Sequence, residues 1–294
     1  MRWSPPRLPI LVLLLSSSVF AQGRIDCNTL KSTILHQSIH YCVMLPPGYD
    51  AATAAHPPRR YPVLYFLHGL GEDEQALFKS GGWDLVQDLR QQGQITDFLV
   101  VAPDGMHSFY INSADRQLRY NDFFLREFLP YIETHYSIRG ERAARGISGA
   151  SMGGYGALRF AFAHPELFAS VSAQSAALIS QPPQGPMRSG TSLDGLLGGV
   201  FGNPIDAPHW SQNSPFVLAK QNRARLAGLA IYFNCGRDDE FGFEKGAAEL
   251  DRQLQAERIR HEFHLFPGNH SAAYFLAHLG ETLKFHSQVF AGKP

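Results

Sequence analysis

The sequence has little that would tie it to a nucleic acid, a bilayer or a metal. Its 26 Lys and Arg are matched by 26 Asp and Glu, so no basic excess exists to neutralise phosphates, and a nucleic-acid partner is disfavoured. Charged residues make up 18% of the 294-residue chain against 44% hydrophobic, which excludes a disordered polymer or a coiled coil. After the N-terminus no apolar run reaches the roughly 20 residues that spanning a bilayer demands, which argues against stable membrane insertion. No internal repeat is present. Glycine is plentiful at 27 residues, yet neither a dinucleotide fingerprint nor a phosphate loop forms, because the third glycine spacing or the Lys-Ser/Thr ending is missing. His261 and His264 are three apart, whereas the zinc-peptidase pattern needs four and a particular glutamate. No metal and no cofactor are called for. Cysteine is scarce, with only Cys27, Cys42 and Cys235.

What is present begins with a targeting segment. Arg2 and Arg7 precede the apolar run Ile10–Leu15, and Val19-Phe-Ala21 fits a small-residue cleavage site. Residues 1–21 are therefore expected to be a signal peptide and the protein to be secreted or periplasmic. An exported chain can form disulfides. Cys27 and Cys42 lie in neighbouring strand candidates, where antiparallel pairing could bring them within bridging distance. Cys235 closes an apolar strand and reads as a buried thiol, since nothing nearby obviously lowers its pKa.

Residues 28–45 read as two edge strands. Tyr61–Leu67 is a continuous apolar strand suited to a sheet covered on both faces. Similar candidates follow at 98–101, 144–148, 168–172, 229–233 and 261–266. Helical patterns lie between them at 82–91, 120–135, after Ser151, 245–258 and 271–285. This alternation implies parallel crossovers and a three-layer α/β sandwich with a mostly parallel central sheet. Residues 22–294 are expected to be one catalytic domain. The stretch from about 178 to 220 breaks the alternation and is long for a plain connection, so it reads as a small cap or lid.

The chemistry centres on Gly149-Ala-Ser151-Met-Gly153, a nucleophile-elbow pattern between a strand and a helix. Small residues two before and two after the serine let the backbone bend sharply and lift its Oγ above the sheet. Serine is a poor nucleophile without a base, and the base needs an orienting acid. Downstream, the strand 231–235 runs into Gly236-Arg-Asp238-Asp239-Glu240-Phe241, and the last strand delivers Pro267-Gly-Asn-His270. Nucleophile, acid and histidine thus follow in the α/β-hydrolase order. Asp238 and Asp239 compete for the acid, since neighbours in a loop cannot both face one imidazole, and Glu240 is a more distant candidate. The oxyanion donors are expected to be the Met152 amide and, from the loop His68-Gly69-Leu70-Gly71, the Leu70 amide. His68 reads as a structural residue holding that loop. Phe109, Tyr110 and Trp210 are candidates for substrate contact, by stacking on an aromatic acyl group, and equally for the core.

These motifs resemble the esterase D / antigen 85-like branch of the α/β-hydrolases. The resemblance covers nearly the whole mature chain, from Tyr41-Cys-Val-Met-Leu-Pro-Pro-Gly-Tyr49 and Tyr61–Gly69 through Ser108–Ser113, Gly149–Gly156 and Asn213-Ser-Pro215 to Phe266–His270. It implies Ser151 as nucleophile, His270 as base, Leu70 and Met152 as oxyanion donors, and Asp239 as acid, because the branch's Gly-x-x-Asp-x-Phe pattern aligns on Gly236, Asp239 and Phe241. It further implies a serine carboxylesterase acting on small-molecule or carbohydrate-linked esters, acetyl or feruloyl, through an acyl-enzyme. The alternatives within the branch are an S-formylglutathione hydrolase-like thioesterase and an antigen 85-type acyltransferase. The export signal lowers the first, and the lack of an evident acyl groove lowers the second.

Overall fold

The structure, a computed structural model, describes Met1 and residues 23–184 and 193–292. Apart from Met1, the expected signal segment lies outside the described residues, as does the 185–192 part of the expected cap.

Eight strands form one sheet: β1 (Arg24–Ser32), β2 (Gln37–Leu45), β3 (Val63–Leu67), β4 (Leu99–Pro103), β5 (Arg145–Ala150), β6 (Ser170–Gln174), β7 (Ala230–Gly236) and β8 (Glu262–Phe266). Their spatial order is β1-β2-β4-β3-β5-β6-β7-β8. β2 pairs antiparallel with β1 and β4, and every other pairing is parallel. Every residue of β3, β4, β5 and β6 is buried, as a parallel sheet covered on both faces requires. Alternation divides the core in two. Val63, Tyr65 and Leu67 face a cluster with Phe124, Phe128 and Phe160. Leu64 and Phe66 face one with Val86, Leu89, Leu279 and Leu283.

Two helices add detail to the expectation. The 120–135 helix is built of three pieces, with a wider turn at Phe124–Phe128 between Tyr120–Phe123 and Leu129–His135. Pro130 opens the last piece. It has no N–H for the carbonyl four residues back, and its ring crowds that carbonyl, which a wider turn relieves. The C-terminal helix runs from Ala272 to Phe290, beyond the expected end at 285, because Phe290 packs edge-on against Phe98 with ring centroids 5.5 Å apart. The same helix brings the fully buried His286 between the Ser170 and Ser172 hydroxyls at 2.7 and 2.8 Å. Burial lowers its pKa to about 3, so it is a neutral, hydrogen-bonded tie between helix and sheet.

Cys27 and Cys42 stand directly opposite in the β1–β2 register and form a disulfide with Cα atoms 4.1 Å apart. The bridge spans 15 positions, for which loop entropy supplies about 3 kcal/mol of stability. Reduction should therefore lower the melting temperature by several degrees. Thiol titration of denatured, unreduced protein should find Cys235 as the free cysteine; three reactive thiols would rule the bridge out.

Candidate active site

The turn at the top of β5 is set by what its glycines lack. A Cβ on Gly149 would lie 2.3 Å from the Gly153 carbonyl, and one on Gly153 would lie 1.9 Å from the Leu67 oxygen. Only glycine at both positions lets the helix Met152–Ala163 start this close to β3 and β5. Between them Ser151 takes φ 54° and ψ −118°, a sparsely populated conformation for an L-residue. It is held there by the Ser151 N–H donating to the Gln174 carbonyl at 2.9 Å and by the Ala177 N–H donating to the Ser151 carbonyl at 3.0 Å.

The loops after β7 and β8 bring the remaining groups to this turn, at the carboxyl end of the parallel strands where open α/β sheets hold their sites. His270 Nδ1 lies 2.7 Å from Asp239 Oδ2, and His270 Nε2 lies 2.9 Å from Ser151 Oγ. Burial would raise the Asp239 carboxyl, but the hydrogen bond and charge of His270, with the Phe241 and Phe243 amides, outweigh it and hold the group below its ordinary value. Ionised Asp239 can only accept, so Nδ1 carries the imidazole proton and Nε2 is left to accept from the serine hydroxyl. Asp238 does not join this chain. Its N–H donates to the Gly268 carbonyl at 2.9 Å, following the Arg237 N–H to the Phe266 carbonyl at 2.8 Å, and Asp238 is exposed.

Two positioning contacts had no signature in the sequence. Glu240 Oε2 accepts from the His270 N–H at 2.8 Å, fixing the histidine's backbone while Asp239 fixes its ring. Glu72 Oε2 accepts from the Gly69 N–H at 2.8 Å and shapes the loop opposite the serine, so that a Cβ on Gly69 would sit 3.6 Å from Ser151 Cβ. On that loop the Leu70 N–H has no hydrogen-bond partner among the described residues. The Met152 N–H opens its helix, where no carbonyl lies a turn behind to receive it. His68 has the structural place expected of it: Nε2 accepts from the Gly105 N–H at 2.7 Å, and Nδ1 lies 2.8 Å from the Gly69 carbonyl.

The three aromatic candidates separate. Tyr110 is fully buried, its hydroxyl donating to the His68 carbonyl at 3.0 Å, and its ring occupies the space that a Cβ on Gly156 would need. It supports the loop from below and does not open to the site. Phe109 and Trp210 are also buried in the core, where they border a cavity of about 10 Å³ shared with Tyr155, Ala177, Leu197 and Phe201. The described part of the expected cap forms helices at Leu193–Phe201, Ala207–Asn213 and Pro215–Gln221, pinned to the Ser151 helix by the Tyr155 hydroxyl donating to the Asn213 carbonyl at 2.7 Å. A second cavity, of about 40 Å³, is bordered by Ala150, Gln174, Glu72, Phe275 and Leu276. Cys235 is buried, with its thiol pushed up to about 12 by burial, and its S–H donates to Asp239 Oδ2 at 3.7 Å.

The strand order, the elbow between β5 and its helix, and the Ser-His-Asp chain above the sheet define an α/β-hydrolase. Within that class, residues 32–286 match the family model described as "Putative esterase", and the chain belongs to that family. It is 29% identical over 246 residues to an esterase of Mycobacterium tuberculosis, covering 78% of this chain and 51% of that protein. The chain thus spans about half the length of the mycobacterial esterases it matches. It is 26% identical over 232 residues to an acetyl esterase of Caldicellulosiruptor saccharolyticus, covering 77% of this chain and 84% of that one. Among solved structures, a ferulic acid esterase superposes with a TM-score of 0.77 at 26% identity, over 92% of this chain and 99% of the other.

Proposed function

We propose that the protein is an exported serine carboxylesterase that hydrolyses short-chain acyl or carbohydrate-linked esters through an acyl-enzyme. The observation that carries this reading is the continuous hydrogen-bond chain from Ser151 Oγ through His270 to Asp239. Ser151 Oγ attacks the ester carbonyl as His270 Nε2 takes its proton, and Asp239 steadies the imidazolium that forms. The oxyanion is received by the Leu70 and Met152 amides, each donor of this kind being worth on the order of 3 kcal/mol in the transition state. His270 then protonates the leaving alcohol. Water, activated by the same histidine, releases the acid and restores Ser151. Export rests on the N-terminal pattern of Arg2, Arg7 and the apolar run before Ala21, and it accords with the Cys27–Cys42 bridge.

The expected cap, a single compact segment at about 178–220 with no long extra apolar element in the sequence, favours small acyl groups. The leaving alcohol must lie towards His270, whose ring touches Phe275 of the larger cavity. The acyl group is left with the other side of Ser151, towards Tyr155, Ala177 and the helices of the expected cap. Acetyl to butyryl p-nitrophenyl esters should therefore exceed palmitoyl by more than about tenfold in kcat/KM. A chain-length series run beside methyl ferulate and acetylated xylan tests this. Equal or faster turnover of palmitoyl esters would replace it with a lipase or an envelope acyltransferase.

A further inference from the structure

Apart from Met1, the large apolar side chains that stand exposed among the described residues are Phe241 and Leu276. Both belong to the rim on the His270 side. Phe241 meets the His270 ring edge-on at 4.9 Å. Leu276 borders the cavity whose Phe275 wall also touches His270, at 5.2 Å. Phe241 is 56% exposed, yet it does not hang free. One face lies on Phe243, with centroids 5.5 Å apart and planes 19° from parallel, and Phe243 is itself 3% exposed. The result is a plate backed by the core and open to solvent, fixed beside the group that hands its proton to the leaving oxygen. Phe241 and Leu276 therefore both stand at the rim beside the catalytic histidine.

From this we infer that Phe241 is a binding residue for the leaving alcohol, and that it holds a sugar ring by stacking. This rests on the esterase reading above and adds to it the place where the alcohol binds. The geometry follows from the chemistry: the alcohol oxygen must come within hydrogen-bond reach of His270 Nε2 to be protonated, which brings the rest of the alcohol towards the His270 rim where Phe241 stands. The face of an aromatic ring is negatively polarised and attracts the C–H groups on the apolar side of a sugar ring. Asp238 and Glu240, exposed on the same loop, supply acceptors for its hydroxyls. Arg237 is the neighbouring cation, and its Nε donates to the Leu265 carbonyl at 3.2 Å. A linear alcohol would gain little from a flat plate, and an anionic leaving group would meet the two carboxylates.

The test compares two acetyl esters, so that the acyl-enzyme and its hydrolysis are common and the alcohol alone differs. They are a monoacetylated methyl xylopyranoside and ethyl acetate. Phe241→Ala should lower the ratio of kcat/KM for the sugar ester to that for ethyl acetate by at least about tenfold, chiefly through KM. Phe241→Trp should keep the ratio within about threefold of the parent protein, because a larger plate still stacks. Thermal melts of each variant separate loss of the plate from loss of the fold. An Ala variant that melts like the parent but shifts the ratio less than twofold would overturn the proposal while leaving the esterase reading in place. A parent protein that cleaves neither ester would remove both.

Discussion

Replacing Ser151 with alanine should lower kcat on p-nitrophenyl acetate by at least about 10³-fold while leaving the fold in place. The asymmetry between the two effects follows from the turn. An alanine keeps the Cβ, so it bears the same backbone strain at φ 54° and ψ −118° and adds none. The hydrogen bonds that hold the turn, from Ser151 N–H to Gln174 and from Ala177 to the Ser151 carbonyl, use backbone atoms and survive. What disappears is Oγ, and with it the atom 2.9 Å from His270 Nε2. The residual rate would come from the oxyanion donors and from binding alone, which still exceed water. A purified variant with a parent-like melt that retained more than a tenth of the activity would falsify the nucleophile assignment. Transfer to an added alcohol, seen as a new ester and lost in the same variant, would instead show that the acyl-enzyme forms but passes its group to acceptors other than water.

How much of this was legible in the sequence depended on whether a residue's role shows in its neighbours along the chain. The inner strand Val63–Leu67 was readable because a sheet covered on both faces favours an unbroken apolar run. The elbow was readable because close approach of helix and strand demands glycine at 149 and 153. The partners of Ser151 were readable by order, Asp then His at the ends of successive strands, and the structure brings His270 and Asp239 to the serine in one chain. The 120–135 helix is continuous as expected, but its wider turn at Phe124–Phe128 was not foreseen because the apolar pattern runs through it, although Pro130 was the available signal. Glu72 was not readable at all, and Glu240 reads in the sequence only as a distant candidate for the acid, not as an anchor of the histidine's backbone. Each accepts from a backbone N–H on a different loop, and no local pattern announces such a partner. Aromatic residues were ambiguous for a physical reason: Phe109 and Tyr110 are adjacent and alike in hydrophobicity, and both adopt positive φ, 49° and 58°. Yet one borders the cavity by the cap and the other is sealed beneath the His68 loop. The choice depends on the glycines at 105 and 156 whose missing side chains Tyr110 replaces, and although Gly105 is near in the chain, Gly156 lies far off in sequence.

The pair Asp238 and Asp239 is where the sequence alone stayed undecided and where substitution should discriminate most sharply. After β7 the chain continues to pair with the β8 loop through the Arg237 and Asp238 amides, so the backbone at 238 is engaged with its neighbour and the exposed carboxylate is free of the imidazole. One residue further on, Asp239 is 6% exposed and accepts from both His270 Nδ1 at 2.7 Å and the Phe241 N–H at 3.1 Å. An asparagine at 239 keeps the size of the side chain but can present an N–H₂ to Nδ1. That favours the tautomer with its proton on Nε2, the nitrogen that must accept from Ser151. It also removes the charge that steadies the imidazolium. Asp239→Asn should therefore lower kcat by about 10⁴-fold near neutral pH, whereas Asp238→Asn should change it by less than about threefold. Steady-state rates of the two variants, each checked for a parent-like melt, decide the matter. Comparable losses in both, or the larger loss at 238, would mean that the loop rearranges when substrate binds and that the acid is not the residue nearest the histidine in the free protein.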